Sequence, residues 1–284
     1  IKATSNNQQC FNFADGDIPN VNDSEDMEAV IWPGGPDGYW AWFNYNAPLQ
    51  KIDFVTNTAY FTGAQWSYDL GTGTRYFMQN ALEFIDMPGE YYIEDGMLYY
   101  YPDGEYNSLE LSVLKDDFIK IENAGYINFE GITFEKSCGN ILNIINSDNI
   151  KIENCKFKVN DVACNGYVDL YTNNQNIRFV NCNFNCSSLN NGSNYAGGLW
   201  VREYDSSTTS SDIYFDNCIF YHRSYDEVIG VWNWNGSLKN VQINNCKIEA
   251  SPLCTAQHFI TFSAENSSIN NSIIIYKPSD SNSR

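Results

Sequence analysis

The second half of the chain is built on a repeat, and this repeat restricts the possible fold more than any other feature of the sequence. Six β-like segments align on one shared position, which is Gly in the first segment and Asn in the other five. Successive shared positions are 23, 27, 36, 28 and 26 residues apart, which is typical of the coils of a β-solenoid. One coil cannot bury its apolar face alone, so stacked coils must share a continuous core. The segments are INFEGITF (127–134), IKIENCKF (150–157), IRFVNCNF (177–184), IYFDNCIF (213–220), VQINNCKI (241–248) and SSINNSII (267–274), and the shared positions are Gly131, Asn154, Asn181, Asn217, Asn245 and Asn271.

The recurring Asn has a conformational explanation. A corner between two strands often needs the left-handed backbone conformation, which Asn and Gly tolerate best. Stacked Asn amides can also bond to one another along the solenoid. In four coils a Cys follows the Asn, and we expect these to form a buried ladder of small side chains. A metal site is the alternative, but ligands one coil apart line a column instead of surrounding a point. The four are Cys155, Cys182, Cys218 and Cys246.

A further strand precedes the Asn of each later coil, and its alternation divides the residues between two faces. The apolar set is predicted to point inward, and the other set outward. The outward set is rich in aromatic and charged residues, which is unusual for a solvated sheet without a function. The inward set is Leu142, Ile144, Val168, Leu170, Leu199, Val201, Ile229, Val231, Ile260 and Phe262; the outward set is Tyr167, Asp169, Tyr171, Trp200, Arg202, Val228, Gly230, Trp232, Thr261 and Ser263.

The first hundred residues lack the repeat and are predicted to form an antiparallel β module. KIDFVTNTAYFTG (51–63) indicates two strands around an Asn turn, and GEYYIEDGMLYYYPDG (89–104) indicates a hairpin around EDG. RYFMQNALEFIDM (75–87) has helical spacing and predicts one short helix. We therefore divide the chain into an antiparallel module over 1–110, either N-terminal or inserted into the solenoid, and solenoid coils over 111–284.

The segment RYFMQNALEFIDMPGEYYIEDGMLYYYPDG (75–104), together with FNFADGDIPNVNDSEDMEAVIWPGG (11–35) and the N-C-x-F coils, resembles a family of right-handed parallel β-helix proteins. This pectin-lyase-like family includes β-helical glycoside hydrolases such as β-xylosidases. The resemblance implies an all-β, right-handed parallel β-helix with catalytic carboxylates on the outward face of one sheet. The N-terminal coil segment of the family is not found here, so we expect the chain to begin inside a longer precursor.

Composition narrows the range of partners. Sixteen Lys and Arg face 35 Asp and Glu, giving a formal net charge of −19. This charge disfavours nucleic acid, and it disfavours polyuronates unless calcium or a basic patch intervenes. The 20 Tyr, 17 Phe and 7 Trp suit stacking on neutral polysaccharides or oligosaccharides. We expect no membrane span, no cofactor other than possible calcium, and, from nine Cys, at least one thiol without a partner in the chain.

Three carboxylates are the catalytic candidates: Asp169 in mid-strand, and Asp226 and Glu227 at the start of the strand two coils later. Glycoside hydrolysis needs two carboxyl groups about 5 Å apart for retention or roughly 6.5–9.5 Å apart for inversion. Neighbouring coils lie about 4.8 Å apart, so carboxylates one or two coils apart cover that range. Asp226 and Glu227 are adjacent and point to opposite faces, so only one of them can serve a given cleft.

Six further residues are predicted to bind the substrate. Two Trp side chains on the outward face are candidate stacking platforms for a sugar ring, although packing beneath a loop is an equal alternative. The guanidinium on that face could orient a hydroxyl or pair with a carboxylate of the next coil. The substrate-binding candidates are Trp200, Arg202, Glu203, Trp232, Tyr171 and His222.

These patterns favour a secreted or cell-surface glycoside hydrolase that acts on a polysaccharide or oligosaccharide. A polysaccharide lyase is the first alternative, but it needs a base near the substrate carboxylate, and the basic residues reduce to Arg202, Arg223 and His222. A carbohydrate-binding solenoid without catalysis, as in phage appendages, is the second alternative.

Overall fold

The computed structural model describes residues 9–21, 26–33, 45–63, 70–105, 116–137, 140–159, 167–186, 198–222, 227–250 and 259–276. The chain forms two compact units that divide between residues 110 and 111. Among the described residues the secondary structure is β apart from one 3-10 turn, and this confirms the predicted all-β class.

The first unit contains a five-stranded antiparallel sheet and a separate hairpin. The strands are β1 (Cys10–Asn12), β2 (Glu28–Trp32), β3 (Tyr45–Asp53), β4 (Thr58–Phe61) and β5 (Arg75–Gln79), and the hairpin consists of β6 (Tyr91–Glu94) and β7 (Met97–Tyr100). The sheet order is β1-β4-β3-β2-β5, and its core is formed by Phe11, Ala29, Ala47, Ala59 and Phe61 among others.

Both predicted hairpins of the first unit are confirmed. Strands β3 and β4 pair antiparallel around Asn57, which has a φ of 49°. Strands β6 and β7 pair around Asp95 and Gly96, with φ values of 50° and 74°. Two consecutive left-handed residues are the geometry of a tight two-residue hairpin turn, which Asp-Gly favours.

The predicted helix over 75–87 is wrong. Its first part, Arg75–Gln79, is strand β5 and pairs antiparallel with β2, and only Leu82–Phe84 forms a single 3-10 turn. Asn80 separates the two with a φ of 64°. The apolar residues have helical spacing, but pairing with the edge of β2 makes the segment a strand, because strand formation depends on a partner that is distant in sequence.

The second unit is a right-handed parallel β-helix, as predicted. Six coils each contribute one strand to each of three six-stranded parallel sheets. The first sheet contains β8 (Ile119–Glu122), β11 (Leu142–Ile145), β14 (Val168–Tyr171), β17 (Leu199–Glu203), β20 (Ile229–Asn233) and β23 (Ile260–Phe262). The second contains β9 (Gly125–Glu130), β12 (Asp148–Glu153), β15 (Gln175–Val180), β18 (Thr209–Asp216), β21 (Ser237–Asn244) and β24 (Ser268–Asn270). The third contains β10 (Thr133–Glu135), β13 (Lys156–Val159), β16 (Asn183–Cys186), β19 (Ile219–His222), β22 (Lys247–Ala250) and β25 (Ile273–Tyr276).

The repeated Asn forms the corner between the second and third sheets. The five Asn have φ values of 48–56°, and Gly131 has a φ of 68°. The Asn181 amide donates to the Asn154 side-chain oxygen at 3.3 Å, so part of the predicted amide ladder forms. The four Cys after the corners are buried in the core and are not in disulfides, in agreement with the predicted apolar ladder.

The predicted inward residues of the first sheet lie in the solenoid core, except that Ile260 and Phe262 of the last coil are only partly buried. The outward assignment is wrong for Tyr167 and Val228, which are fully buried in the same core cluster. Each stands just before its strand, where the alternation of faces is not yet established. The Tyr167 hydroxyl lies 3.5 Å from the Val228 carbonyl oxygen, to which it donates.

Candidate functional site

The outer face of the first sheet carries two rows of residues that run across the coils. Parallel pairing sets Asn143, Asp169, Trp200, Gly230 and Thr261 side by side in one row. The next row consists of Ile145, Tyr171, Arg202 and Trp232. Residues of five different coils, which are far apart in the sequence, therefore lie side by side on one surface.

Asp169 and Arg202 form a bidentate ion pair between neighbouring coils. Arg202 Nε donates to Asp169 Oδ1 at 3.0 Å, and Arg202 Nη2 donates to Asp169 Oδ2. Both side chains are largely removed from solvent, with 6% of the Asp169 side chain and 19% of the Arg202 side chain exposed. Burial raises the pKa of Asp169 above its ordinary value, and the guanidinium counteracts this rise.

Aromatic rings surround the Arg202 guanidinium. Its central carbon lies 5.5 Å from the Tyr171 ring centroid, 5.7 Å from that of Tyr204 and 5.9 Å from that of Trp200. Distances within about 6 Å allow cation–π attraction. The guanidinium is thus held by one carboxylate and several ring faces.

Four partly exposed aromatic side chains continue from this arginine, and we call Tyr171, Tyr204, Trp232 and Trp234 the aromatic surface. Tyr171 and Tyr204 lie 5.4 Å apart between centroids, Tyr204 and Trp234 stack at 5.7 Å with an interplanar angle of 17°, and Trp234 and Trp232 lie 5.7 Å apart. Trp234 is 56% exposed. Tyr204 and Trp234 were not among the predicted site residues, although each shares the alternation of the outward residues before it.

Trp200 does not offer a free face to a ligand. Its side chain is only 2% exposed, and its ring lies 4.9 Å from that of Trp232 at 71°. A Cβ on Gly230 would stand 2.4 Å from the Trp200 ring, so the glycine makes the room in which that ring lies. Trp200 therefore packs beneath the aromatic surface. Its predicted stacking on a sugar ring has no geometric support.

Glu203 is a structural carboxylate. It is fully buried and accepts hydrogen bonds from Ser210 Oγ at 2.7 Å, Thr208 Oγ1 at 2.8 Å, the Asn173 amide at 2.9 Å and Thr172 Oγ1. Burial by itself would raise the pKa of Glu203, but these donors outweigh it and the pKa is lowered. A carboxylate without exposed surface does not contact a substrate, so the predicted binding role has no geometric support.

His222 also lies away from the site. It ends β19 in the third sheet, is fully buried, and pairs in register with Ala250 of the next coil. Its side chain shares the alternation of Phe220, which belongs to the core. The predicted contact between His222 and a substrate on the outer face of the first sheet therefore has no support.

Glu227 is 5% exposed, and its Oε1 accepts a hydrogen bond from Thr261 Oγ1 at 3.0 Å. Because Thr261 lies in the outward row, the Glu227 carboxylate turns to the outer face despite its inward alternation. Asp226, the other predicted carboxylate of this pair, lies outside the described residues. In the part of the chain that the structure describes, no group of three or more His, Cys, Asp or Glu side chains is placed to hold a metal ion.

Comparison with known proteins gives two structural likenesses. No protein-family model matches the chain, and no curated protein matches its sequence. A solved structure titled glycoside hydrolase is 12% identical, with a TM-score of 0.48, and the match covers 89% of this chain and 68% of that one. The tailspike protein gp49 from Pseudomonas phage LKA1 is 13% identical, with a TM-score of 0.34, and the match covers 98% of this chain but only 42% of the tailspike. No described helix is long and apolar enough to cross a membrane.

Proposed function

We propose that this protein is a carbohydrate-active β-helix protein that binds a neutral polysaccharide or oligosaccharide on the aromatic surface. The observation that carries the proposal is the set of four partly exposed rings beside one partly buried arginine. Large exposed aromatic groups on a rigid sheet mark an interaction site, because solvated sheet faces rarely keep such apolar area. Tyr and Trp combine an apolar ring face with a polar edge, which matches a sugar ring with its C–H faces and hydroxyl rim.

The charge arrangement favours a neutral glycan. Arg202 lies beside the aromatic surface and Asp169 already neutralises it, and Lys120, which pairs in register with Asn143, forms an ion pair with Glu122. The chain as a whole carries a formal charge of −19, which repels polyuronates. A lyase would need a free base here, but His222 lies in the core and Arg223 lies outside the described residues. These points place the lyase alternative below binding and hydrolysis.

Glycoside hydrolysis is the catalytic form of the proposal, and one observation favours it. Asp169 is a buried carboxyl group beside the aromatic surface, and burial raises its pKa. Because Arg202 donates to both of its oxygens, Asp169 is held as a carboxylate, which is suited to act as a general base or a nucleophile in glycoside hydrolysis. We also propose that the chain belongs to the pectin-lyase-like family. Because such glycans are found outside cells, we further propose that the protein is secreted or displayed at the cell surface.

The experiment is a screen of neutral and acidic glycans with three readouts: binding by Trp fluorescence, new reducing ends, and the ultraviolet absorbance of unsaturated uronates. Saturable binding of a neutral glycan supports the proposal, and new reducing ends without the absorbance add hydrolysis to it. Binding without products would leave a non-catalytic carbohydrate-binding solenoid. Ultraviolet absorbance from unsaturated uronate products, or binding confined to polyuronates, would contradict the proposal.

A further inference from the structure

Three asparagine side chains form a ladder at the corner between the first and second sheets, and we call Asn123, Asn146 and Asn173 the amide row. The Asn146 side-chain amide donates to the side-chain oxygen of Asn123, and the Asn173 amide donates to that of Asn146. Asn123 and Asn146 are exposed, and Asn173 is partly exposed. The three residues follow β8, β11 and β14, so the amide row crosses the first three coils on their outer surface.

The amide row leads directly into the aromatic surface. Tyr171, Arg202 and Trp232 pair in parallel register in neighbouring coils, and backbone hydrogen bonds continue this pairing past the strand ends. The residues two positions later are therefore neighbours as well, in the order Asn173, Tyr204 and Trp234. The rings of the last two stack at 5.7 Å. One line of side chains thus continues across five coils, from amides to rings.

The two rings in this line break a pattern that the corner between the second and third sheets keeps. That corner has Asn or Gly with a positive φ in every coil. The amide row has φ values of 47–53°, so backbone conformation explains its asparagines too. Tyr204 and Trp234 stand at the equivalent positions of the next two coils, and neither has a positive φ. The change from amide to ring is therefore not a requirement of the corner.

The ladder leaves hydrogen-bonding capacity in the amide row. A side-chain amide carries two N–H donors and an oxygen with two lone pairs. Within the ladder, Asn146 donates one N–H to Asn123 and accepts one from Asn173, which leaves it one donor and one acceptor site. Sugar hydroxyls both donate and accept hydrogen bonds, so they match an exposed row that offers both.

Glu203 fixes the junction between the amides and the rings. Its carboxylate accepts the Asn173 backbone N–H at 2.9 Å and the Thr172 hydroxyl. Because Glu203 directly precedes Tyr204, one buried carboxylate holds the last amide and the first ring of the line in register. A rigid junction of this kind favours binding, since less conformational freedom is lost when a ligand spans both parts.

We propose that the amide row and the aromatic surface form one binding track for a linear, neutral glycan of about five sugar residues, which runs along the solenoid axis. Five coils span four spacings of about 4.8 Å, or roughly 19 Å, and one coil spacing is close to the length of one sugar residue in an extended chain. The rings of the third to fifth coils stack on up to three sugars, and Asn146 and Asn123 bind the hydroxyls of the next two. The inference rests on the proposed function and deepens it, because it names the shape, length and direction of the glycan.

The first test measures affinity against chain length by calorimetry, with cello-, xylo- and manno-oligosaccharides of two to six sugars as probes. In a series that binds, the wild type should bind the pentasaccharide about tenfold more tightly than the trisaccharide. Asn146→Gly keeps a left-handed backbone but removes the amide, so it should weaken pentasaccharide binding by about three- to tenfold and leave trisaccharide binding unchanged. Trp234→Ala should weaken the binding of both lengths.

Asn154→Gly is the matched control. Asn154 has a φ of 55° and accepts a hydrogen bond from the Asn181 amide at 3.3 Å, but it lies at the corner between the second and third sheets. This variant should bind both lengths as the wild type does. A second readout uses NMR of ¹⁵N-labelled Asn side chains. The Asn146 amide signal, assigned by its absence from Asn146→Gly, should shift with the pentasaccharide and not with the trisaccharide.

The outcomes separate this inference from the proposed function. If the wild type binds the two lengths equally, or if Asn146→Gly binds the pentasaccharide as tightly as the wild type, the track is overturned and glycan binding on the rings stands. An equal loss of affinity in Asn154→Gly would trace the effect to the stability of the solenoid and would overturn the track as well. If the wild type binds no neutral glycan, the proposed function fails, and the track fails with it.

Discussion

The Trp200 ring lies over Gly230 of the next coil, at a distance that excludes any side chain there: a Cβ on Gly230 would stand 2.4 Å from two Trp200 ring carbons. Trp200 in turn contacts Trp232 edge to face. Because Gly230 has no side chain, the Trp200 ring can lie buried against it, and Trp200 in turn supports the partly exposed Trp232 ring. The aromatic surface depends on a residue that has no side chain.

The first prediction concerns this contact. Gly230→Ala should lower the free energy of unfolding by about 1–3 kcal/mol, because the extra methyl group overpacks a buried ring. It should also weaken glycan binding by displacing Trp232. Gly131→Asn is the matched control, since it puts at an open corner the residue that the other coils use, and urea unfolding should show little change. Equal stability of Gly230→Ala and wild type would contradict the packing that we describe.

The second prediction concerns Glu203. Its pKa is lowered in the folded protein, so its contribution to stability is present above the unfolded-state pKa and is lost as the pH falls through the folded value. In Glu203→Gln, a side-chain NH₂ group faces the hydroxyl and amide groups that donate to Glu203 in the wild type. The free energy of unfolding should therefore fall by about 1–3 kcal/mol at neutral pH. Urea unfolding across the acid range should show a weaker pH dependence for Glu203→Gln than for wild type.

Glu265→Gln is the control for that experiment, because the Glu265 side chain is 66% exposed in a long ion pair with Lys239. Its effect on the free energy of unfolding should stay below about 0.5 kcal/mol. A similar pH profile for Glu203→Gln and wild type would show that Glu203 is not the buried, ionised group of this structure.

The third prediction concerns Arg202. Arg202→Met removes the partner of a buried carboxylate and should cost about 3–5 kcal/mol at neutral pH. Without the guanidinium, burial raises the pKa of Asp169 still further, so the group favours folding in its protonated form. The stability of the variant should therefore be recovered below the unfolded-state pKa and be lost as the pH rises through the folded value.

Thermal unfolding of Arg202→Met between mildly acidic and neutral pH measures this trend. Lys239→Met, which breaks an exposed pair of 3.6 Å, is the control and should change stability little. If Arg202→Met loses the same amount of stability at every pH, the loss comes from packing and not from an unpaired carboxylate.

The fourth prediction concerns the aromatic surface. Trp234→Ala should weaken binding of a neutral glycan by about tenfold or more, because a central aromatic contact commonly contributes over 1 kcal/mol. Since Trp234 is 56% exposed, its removal should leave the melting temperature nearly unchanged. Tyr276→Ala, an equally exposed ring at 59% on the third sheet, is the control. Equal affinities of the two variants for the glycan would place the binding site elsewhere.

Much of the fold follows from local sequence pattern. The corner Asn, the alternation before it and the Cys after it predicted coils, inward faces and the buried ladder, because a solenoid repeats the same local packing in every coil. Where no repeat exists, the prediction was weaker. Arg75–Gln79 has helical spacing, but it pairs with β2, and that partner lies more than 40 residues earlier in the chain.

The candidate site depended on features that alternation does not contain. Alternation placed Asp169, Arg202 and Trp232 on one face, and it allowed Arg202 to pair with a carboxylate of a neighbouring coil. It did not predict that Trp200 is covered or that Glu203 is sealed by hydroxyl and amide donors, because burial on an outer face depends on neighbouring coils.

The sequence by itself determined the coil length, the corners and the residues that face the core, since these are set by backbone conformation and by period-two burial within each coil. The tertiary structure alone decided which residues of different coils become neighbours. Stacking register placed Asn143 beside Asp169 and Trp200 beside Gly230, and those contacts decide which carboxylates and rings share the outer face. The physical reason is that a shift of two residues keeps the alternation of faces, so local pattern leaves the register open and the stacking of the coils fixes it.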